Sequence, residues 1–556
     1  MRKFFLIVLL GAVGVLWGAD WSSQSGNPQR DGWARGEDAL VKSKIPGLKL
    51  LYRTKLDNQS RGLDSLTSPV ILSNLITYLG FKELLFVGGS SDNVYAIDAA
   101  LNRIFWHTHF DYKGDVPQAS PTATCPGGLT ASVAITGGSG PMGFSFNAAR
   151  KRAPGGPGVG PGQGGAAPKP AKTPDRPVAS RGGLFSSGFG RNGYVFAIGS
   201  DGYLRFVRQS DGKTDAVAPV KFLPPNSNVS SINVAGTVVY AATVDNCGGS
   251  PNALYAVDLG GTERNVVSFP TNGSGLSGKG GTAVGNDGTV YAEVANGHGD
   301  VAGNYGDTVL SLDPESLKVK DYFTPEERSS AQGTGQRTGV TPAVFQWKGK
   351  DLIVAAGQDG TVYLLDSASL GGADHHTPLS KTEPIAGTDA SSPNRGILGD
   401  FATWEDTDTG ARWIYAAVQG GPSSNVKFPL ANGDAESGSI VAFKVEEQDG
   451  KPALTPQWIS RNLIGPASPV TTNGLVFALS TGHADGGDSG ANADHATLYA
   501  LDGATGKELF SSGDDVTTFS HGSGLAIADG RVYFTTHDNT VYCYGFPALE
   551  PQLTEH

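Results

Sequence analysis

Two glycine-rich stretches of this sequence carry the residue types that bind metal ions. One stretch holds His483, Asp485, Asp494 and His495, and the other holds His298 and Asp300. Imidazoles together with carboxylates suit Zn²⁺ or another transition metal, whereas carboxylates alone suit Ca²⁺. Neither stretch has a recognised ligand spacing, so a solvated polar loop is the favoured alternative to a metal site.

Three further residues could bind a cofactor if the segments that carry them converge. Arg395 and Asp400 lie in NRGILGD, and His521 lies in SHGSG. A guanidinium, a carboxylate and an imidazole could hold and act on a polar cofactor, although each of these side chains often serves only as a structural hydrogen-bonding group. Because no Gly-x-Ser-x-Gly elbow or other nucleophile arrangement is present, the catalytic residues stay unassigned.

Cysteine is scarce, with only Cys125, Cys247 and Cys543. Cys125 and Cys247 fall in glycine-rich segments that we expect on the same face of neighbouring repeat units. A disulfide between them would suit an oxidising compartment, and two separate thiols are the alternative. Cys543 lies inside a strand pattern and is expected to be a small core residue.

Composition excludes some classes of protein. The chain has 556 residues and a net charge of −11, so it lacks the basic surface that nucleic-acid binding requires. Its 79 glycines follow no period of three, which excludes collagen. Residues 1–19 combine Arg2 and Lys3 with about fourteen apolar residues, which is typical of a signal peptide and short for a membrane span. A single anchoring helix is the alternative. We therefore expect a periplasmic or secreted protein without a transmembrane segment in the mature chain.

An alternating apolar strand followed by a turn recurs eight times. The repeats are NVYAID at 93–98, YLRFVR at 203–208, ALYAVD at 253–258, TVLSLD at 308–313, TVYLLD at 361–366, SIVAFK at 439–444, TLYALD at 497–502 and TVYCYG at 540–545. Their period of two indicates half-buried strands, and similar strands flank each repeat. Four antiparallel strands repeated eight times predict an all-β, eight-bladed β-propeller of four-stranded antiparallel blades.

The two ends of the chain complete the predicted ring. The last unit lacks a fourth strand, and KLLYRTKL at 49–56 has the missing pattern, so we expect the N-terminal strand to close the last blade. The predicted organisation is a signal peptide at 1–19, a lead segment at 20–47, one propeller at 48–547 and a tail at 548–556. Within blade two, residues 139–192 are rich in glycine and proline and are predicted to be a largely disordered insertion.

Long loops are predicted on one face of the ring. Connections between second and third strands share a face with the connections between blades, and four of them are extended: 245–252, 295–307, 419–438 and 481–496. We call this face the loop face. Loops on a rigid scaffold often carry function, although tolerated insertions are the alternative.

The repeats YAIDA…W and LYALDGATGKELF, with the opening DWSSQSGNPQRDGWA, resemble PQQ-like propeller repeats. The resemblance is to secreted PQQ-binding-like β-propeller proteins, which are related to quinoprotein alcohol dehydrogenases and to an outer-membrane barrel-assembly lipoprotein. It covers essentially the whole mature chain and implies PQQ with Ca²⁺ as the cofactor of any enzymatic member. The chain departs from the dehydrogenases because it lacks adjacent cysteines, a Cys-x-x-Cys-His haem motif and a tryptophan expected at the channel mouth.

Three functions follow as hypotheses. The first is a binding or interaction module that takes a protein, peptide or glycan on the loop face. The second is a PQQ-dependent alcohol or sugar dehydrogenase. The third is an outer-membrane or envelope assembly scaffold, which the absence of any cysteine before Cys125 weakens, because no lipid can attach near the signal peptide. We expect a monomer.

Overall fold

The described residues form thirty-five short strands. The structure is a computed structural model, and it describes residues 20–77, 80–115, 117, 125, 127–136, 193–271, 275–295, 305–326, 339–357, 360–386, 396–483, 493–522 and 524–547. The predicted signal peptide at 1–19, the predicted insertion at 139–192 and the predicted tail at 548–556 lie outside the described residues. Three 3₁₀ turns accompany the strands, at Ile45–Gly47, Cys247–Gly249 and Gly372–Asp374. In this described part, no helix is long and apolar enough to cross a membrane.

The strands follow one another sheet by sheet along the chain. The first is β1 (Lys49–Lys55). Blade one contains β2 (Val70–Thr77), β3 (Gly80–Gly89), β4 (Asn93–Asp98) and β5 (Arg103–His109). Blade two contains β6 (Ala134–Ile135), β7 (Tyr194–Ile198), β8 (Tyr203–Arg208) and β9 (Val220–Lys221). Blade three contains β10 (Asn228–Val229), β11 (Asn233–Ala235), β12 (Val238–Val244), β13 (Ala253–Asp258) and β14 (Val266–Pro270). Blade four contains β15 (Thr282–Val284), β16 (Val290–Val294), β17 (Thr308–Leu312) and β18 (Val319–Phe323).

The second half of the chain continues the series. An isolated strand, β19 (Gly339–Thr341), precedes blade five, which contains β20 (Ala343–Trp347), β21 (Lys350–Ala356), β22 (Val362–Asp366) and β23 (Ser380–Lys381). Blade six contains β24 (Gly396–Glu405), β25 (Arg412–Gln419), β26 (Leu430–Ala431), β27 (Gly438–Gln448) and β28 (Lys451–Ile459). Blade seven contains β29 (Val470–Thr472), β30 (Leu475–Ser480), β31 (Thr497–Asp502) and β32 (Glu508–Ser511). The last strands are β33 (Ala526–Ala528), β34 (Arg531–Thr536) and β35 (Thr540–Gly545).

The structure is an all-β β-propeller of antiparallel blades, but the predicted number of eight blades is wrong. In the described residues, seven blades, not eight, take their main antiparallel ladder from one stretch of chain. The other sheet is composite: β1 from the N-terminal part pairs with β35, and β34 and β33 follow. We call it the closing sheet. It joins the two ends of the chain, as the pattern at 49–56 suggested.

Two of the seven blades are also irregular. In blade three the inner strand is split into β10 and β11, which both pair with β12, because the intervening Ser231 N–H donates to Lys279 O of the next blade instead. Blade six has six strands in its sheet, since β19 and β26 add in parallel to β24 and β28. Parallel additions come from long connections, which a repeat of local turns does not encode.

The middle strands of the blades are buried on both faces, so the prediction of half-buried strands needs correction. Every residue of β4, β12, β25 and β30 is buried. Neighbouring blades stack face to face and cover both sides of these strands, whereas the outermost strands, such as β1 and β5, consist mainly of exposed and partly buried residues. Small residues such as Ala96 and Ala500, both fully buried, keep the stack close.

Aromatic side chains of the outermost strands attach each blade to the next. The indole N–H of Trp106 donates to Gln209 O at 2.8 Å, and that of Trp458 donates to Gly503 O at 2.9 Å. Tyr52 of β1 acts in the same way on Ala99 O at 2.9 Å. In each case the acceptor lies just after the third strand of the neighbouring blade. The hydroxyl and indole groups thus find buried partners while their rings fill the space between blades.

The lead segment contacts every sheet of the ring. Its contacts, in chain order, are Trp21 with Ile71, Ser22 O with Ile135 N, Pro28 O with Asn233 Nδ2 and with Val284 N, Gln29 O with Val344 N, Asp31 O with Thr403 N, Gly32 O with Thr471 N, and Glu37 Oε2 with Gly530 N. These partners belong in turn to blades one to seven and to the closing sheet. The segment therefore pairs the inner edge of the blades around the axis, where backbone groups would otherwise lack partners.

Candidate functional site

Arg30 of the lead segment is fully buried at the axis. Its guanidinium donates to three carbonyls of blades three and four, those of Ile232, Gly280 and Thr282, at 3.0–3.2 Å. Burial lowers the pKa of Arg30 to about 10, and the negative charge of Asp400 opposes this shift. The side chain remains a cation at neutral pH.

Asp400, a predicted cofactor-binding residue, lies near Arg30 and is 1% exposed. Its Oδ2 accepts hydrogen bonds from Ser25 Oγ at 2.6 Å and from Gln24 Nε2 at 3.2 Å. Its Oδ1 accepts from Gly280 N at 3.3 Å. Both oxygens of the carboxylate are therefore used by the protein's own lead segment and by blade four. This arrangement suits a structural role in holding the lead segment.

Glu293 is a second buried carboxyl group in the ring, and the sequence analysis did not single it out. It lies in β16, is 5% exposed, and its Oε2 has no hydrogen-bond partner among the described residues. Burial raises the pKa of Glu293 well above its usual value of 4.5, and the nearby charge of Asp307 raises it further. Burial thus favours the neutral form of the Glu293 carboxyl group. Its position in VYAEV, an otherwise apolar middle strand, was the available sequence signal.

A row of rings lies beside the connection that leads into the closing sheet. The His483 ring stacks on Phe519 with centroids 5.3 Å apart, and Phe519 stacks on His537 at 4.6 Å. The His521 ring meets His483 edge to face at 5.6 Å. The Lys279 ammonium from blade four lies against Gly522, so a cationic chain reaches the same place from another blade. The structure therefore brings together His483, a predicted metal ligand, and His521, a predicted cofactor-binding residue.

The predicted metal ligands are only partly described. The metal ligands His298, Asp300 and Asp485 lie outside the described residues, as does Arg395, which was predicted to bind a cofactor. His495 contacts Asp494 at 3.0 Å and Asp514 at 3.3 Å, and both carboxylates are largely exposed. Across the described residues, no group of three or more His, Cys, Asp or Glu side chains could hold a metal ion. The metal site at these residues stays a prediction.

Cys125 and Cys247 form a disulfide in the structure. Their Sγ atoms are 2.04 Å apart and their Cα atoms are 5.4 Å apart, which is within the range that the bond requires. Cys247 lies in the loop between β12 and β13, and Cys125 precedes blade two, so the bond joins neighbouring blades at the loop face. Cys543 is a free, buried thiol in β35. Burial raises its pKa to about 12, which keeps it protonated and unreactive.

The loop of blade six, 419–438, does not stand above the loop face as we expected. Ser423 N donates to Ile385 O at 3.0 Å, and the Phe428 ring packs edge to face on Phe443 at 5.8 Å. The loop then forms β26 on the outer edge of β28. Apolar residues such as Phe428 in the loop draw it back onto the sheet, and this fold places its last residues at the rim between blades six and seven.

No protein-family model and no curated protein matches the chain. Solved structures share its architecture. Quinohemoprotein alcohol dehydrogenase from Comamonas testosteroni has a TM-score of 0.53 at 14% identity, over 97% of this chain and 82% of that chain. The quinohemoprotein alcohol dehydrogenase ADHIIG from Pseudomonas putida HK5 has a TM-score of 0.53 at 13% identity, over 96% of this chain and 82% of that chain. A europium-containing methanol dehydrogenase has a TM-score of 0.52 at 12% identity, over 95% of this chain and 98% of that chain. At these identities the likeness establishes the PQQ-like β-propeller fold alone.

Proposed function

We propose that this PQQ-like β-propeller is an extracytoplasmic binding module that holds a ligand with its extended loops. The observation that carries the proposal is the state of Asp400. Both of its oxygens accept hydrogen bonds from the protein itself, so the buried carboxylate of the channel is committed to structure. Binding is then left to the exposed parts of the ring, where the second-to-third-strand loops are longest. A protein, a peptide or a glycan are the ligand classes that such a surface suits.

A PQQ-dependent alcohol or sugar dehydrogenase is the second candidate, because the fold resemblance extends over 97% of the chain. Such an enzyme must hold a flat tricarboxylate quinone, a divalent cation and a carboxylate base. Among the described residues, Asp400 is already satisfied, and Trp106 and Trp458 are used between blades. The described residues therefore do not fit the quinone and its cation, and we derive no catalytic step through them. The envelope scaffold remains a hypothesis from the sequence.

The first test is titration of the purified full chain with PQQ, with and without Ca²⁺, followed by absorbance and calorimetry. We expect no saturable binding at tens of micromolar, since the channel carboxylate is not free to take a cation. One-to-one binding of PQQ would establish the second candidate and would justify assays with alcohols and aldose sugars and an artificial electron acceptor.

The second test compares two shortened variants. In one, residues 484–492 of the blade-seven loop are replaced by Asn-Gly, a tight hairpin turn. In the matched control, residues 144–190 of the insertion, expected on the opposite face, are removed instead. Ligands that wild type binds are first identified with a glycan array and an envelope extract. We expect the first variant not to bind these ligands and the control to bind them as wild type does. Equal capture by both variants would refute binding through the extended loops.

A further inference from the structure

A cleft of about 290 Å³ lies at the rim between blades six and seven. One wall is the end of the blade-six loop, with Asn432 and Asp434. The other wall is formed by Arg461, which follows β28, and by Glu508 at the start of β32. Gly506 lies at its base against the buried indole of Trp458, where a side chain would collide with the ring. Its volume lies near the lower end of the usual range for small-molecule sites.

Some polar groups of the cleft fix its shape. Asn432 Nδ2 donates to Ile459 O at 3.0 Å and to Thr505 O at 2.9 Å, so its amide spans the two blades. Asn462 Oδ1 accepts from Ser437 N at 2.7 Å, which holds the other end of the loop. Because the donors of Asn432 are used by backbone carbonyls, its Oδ1 is left as an acceptor beside the cleft.

Other groups of the cleft are available to a ligand. Arg461 Nη1 donates to Glu508 Oε2 at 2.8 Å, and its guanidinium lies over the Tyr499 ring at 4.9 Å. This stacking holds the planar fork in place while its remaining N–H groups stay free to donate. The second oxygen of Glu508 can accept, and the exposed carboxylate of Asp434 has no hydrogen bond or ion pair with any described residue.

We propose that this cleft binds a hydroxyl-rich ligand, a saccharide of one or two rings. Adjacent hydroxyls of a sugar donate to carboxylates and accept from a guanidinium, and the cleft presents Asp434 and Glu508 beside Arg461 for these two purposes. The inference rests on the proposed binding function, since it names the ligand class for the site that the blade-six loop builds.

The chemistry of the lining favours a sugar over other small ligands. The two carboxylates outnumber the one guanidinium, which disfavours anions such as phosphate or a carboxylic acid. The lining consists of amide, charged and glycine residues, so an apolar ligand would leave these groups without partners. A peptide would need a longer groove than a cleft of this volume offers.

The test is calorimetric titration of the full chain with glucose, galactose, mannose, N-acetylglucosamine, maltose and cellobiose. We expect saturable binding of at least one of these sugars. The variants Asp434→Asn and Glu508→Gln should each weaken it about tenfold, because each loses a charged acceptor. Both substitutions keep the shape of an exposed side chain, so folding should persist, and circular dichroism checks it. The matched control is Asp449→Asn, in the exposed turn between β27 and β28.

Three outcomes would overturn the saccharide assignment. Wild type could bind no sugar of the panel, or Asp434→Asn and Glu508→Gln could bind as tightly as Asp449→Asn. Ca²⁺ alone could bind saturably and be lost in the same variants, which would make the cleft a cation site. The proposed binding function is tested separately by the 484–492 variant, which leaves the cleft residues intact. A failure of the cleft and a failure of the module are therefore distinguishable.

Discussion

Asp400 and Glu293 are both buried carboxyl groups of this ring, but their surroundings differ. Asp400 has Ser25, Gln24 and Gly280 as donors and the positive charge of Arg30 nearby. Glu293 has an oxygen without a partner and the like charge of Asp307 close to it. Burial opposes the ionisation of a carboxyl group that has a like charge nearby. The lead segment therefore supplies hydrogen-bond donors to Asp400, whereas burial raises the pKa of Glu293.

Glu293 should make the stability of the protein depend on pH. Its pKa is raised in the folded state and is near 4.5 when unfolded, so below about pH 4.5 both states are protonated and its contribution is fully present. As pH rises toward the folded-state pKa, the unfolded state ionises first and stability is lost, by about 1.4 kcal/mol per unit of pKa difference. Glu293→Gln cannot ionise, so we expect it to gain stability over wild type between pH 4 and pH 8.

Urea unfolding of wild type and of Glu293→Gln at several pH values measures this difference. Glu446→Gln, an exposed position in β27, is the matched control and should follow the wild-type profile. Parallel profiles for wild type and Glu293→Gln would mean that Glu293 is ionised in the folded protein and has a partner.

At the scale of single residues, the sequence predicts positions better than roles. Asp400 lies in β24, the first strand of the main blade-six ladder, and His521 lies on the connection that leads into the closing sheet. That Asp400 binds the lead segment could not be predicted, because Ser25 and Gln24 are about 375 residues away in sequence. Cofactor binding by Asp400 and His521 was inferred from residue type alone, and residue type does not reveal whether a carboxylate already has partners.

At the scale of elements, local patterns predict the regular strands and long connections escape prediction. TVYLLD and TLYALD predict β22 and β31 because alternation and a following turn are properties of neighbouring residues. The parallel strands β19 and β26 depend on where a long connection meets a distant edge. The same holds for the rim cleft, whose walls come from the blade-six loop and from blade seven.

The disulfide is an element-scale constraint, since it ties the segment before blade two to the loop of blade three across 122 residues. We expect the double variant Cys125→Ser with Cys247→Ser to lose about 3–5 kcal/mol of stability, because the unfolded chain is no longer cross-linked. Denaturant unfolding of wild type and variant measures this loss.

Reduction provides the matched comparison for this bond. Dithiothreitol should lower the unfolding midpoint of wild type and leave that of the double variant unchanged. Thiol titration of denatured wild type should give one reactive thiol, that of Cys543, before reduction and three afterwards. Three thiols without reduction would show that the bond does not form.

At the scale of the whole molecule, the ring is closed twice by residues that precede blade one. At the circumference, β1 pairs with β35 from Lys49↔Gly545 to Lys55↔Thr540. At the axis, the lead segment hydrogen-bonds to inner strands or connections of the sheets in chain order. A ring of sheets opens most easily where its first and last members meet, and both closures oppose that opening. The buried contacts of Arg30 with blades three and four add an attachment on the far side of the axis.

Removal of residues 20–37 should therefore separate the blades before it disturbs any one of them. We expect this variant, which keeps β1, to unfold at a lower denaturant concentration and in a broader transition, because inner strands lose their axial partners and blades then open independently. Fluorescence and circular dichroism should no longer give coincident curves.

A synthetic peptide of residues 20–37, added in trans, should restore the midpoint, whereas the same peptide with Arg30→Met should not, since it leaves three buried carbonyls without their donor. A control that lacks only residues 447–450, the exposed end of β27 and the turn that follows it, should unfold as wild type does. If the 20–37 variant kept one sharp transition at the wild-type midpoint, β1 alone would hold the ring closed. The hydrogen bonds of the lead segment to Asp400 would then not be needed for closure of the propeller.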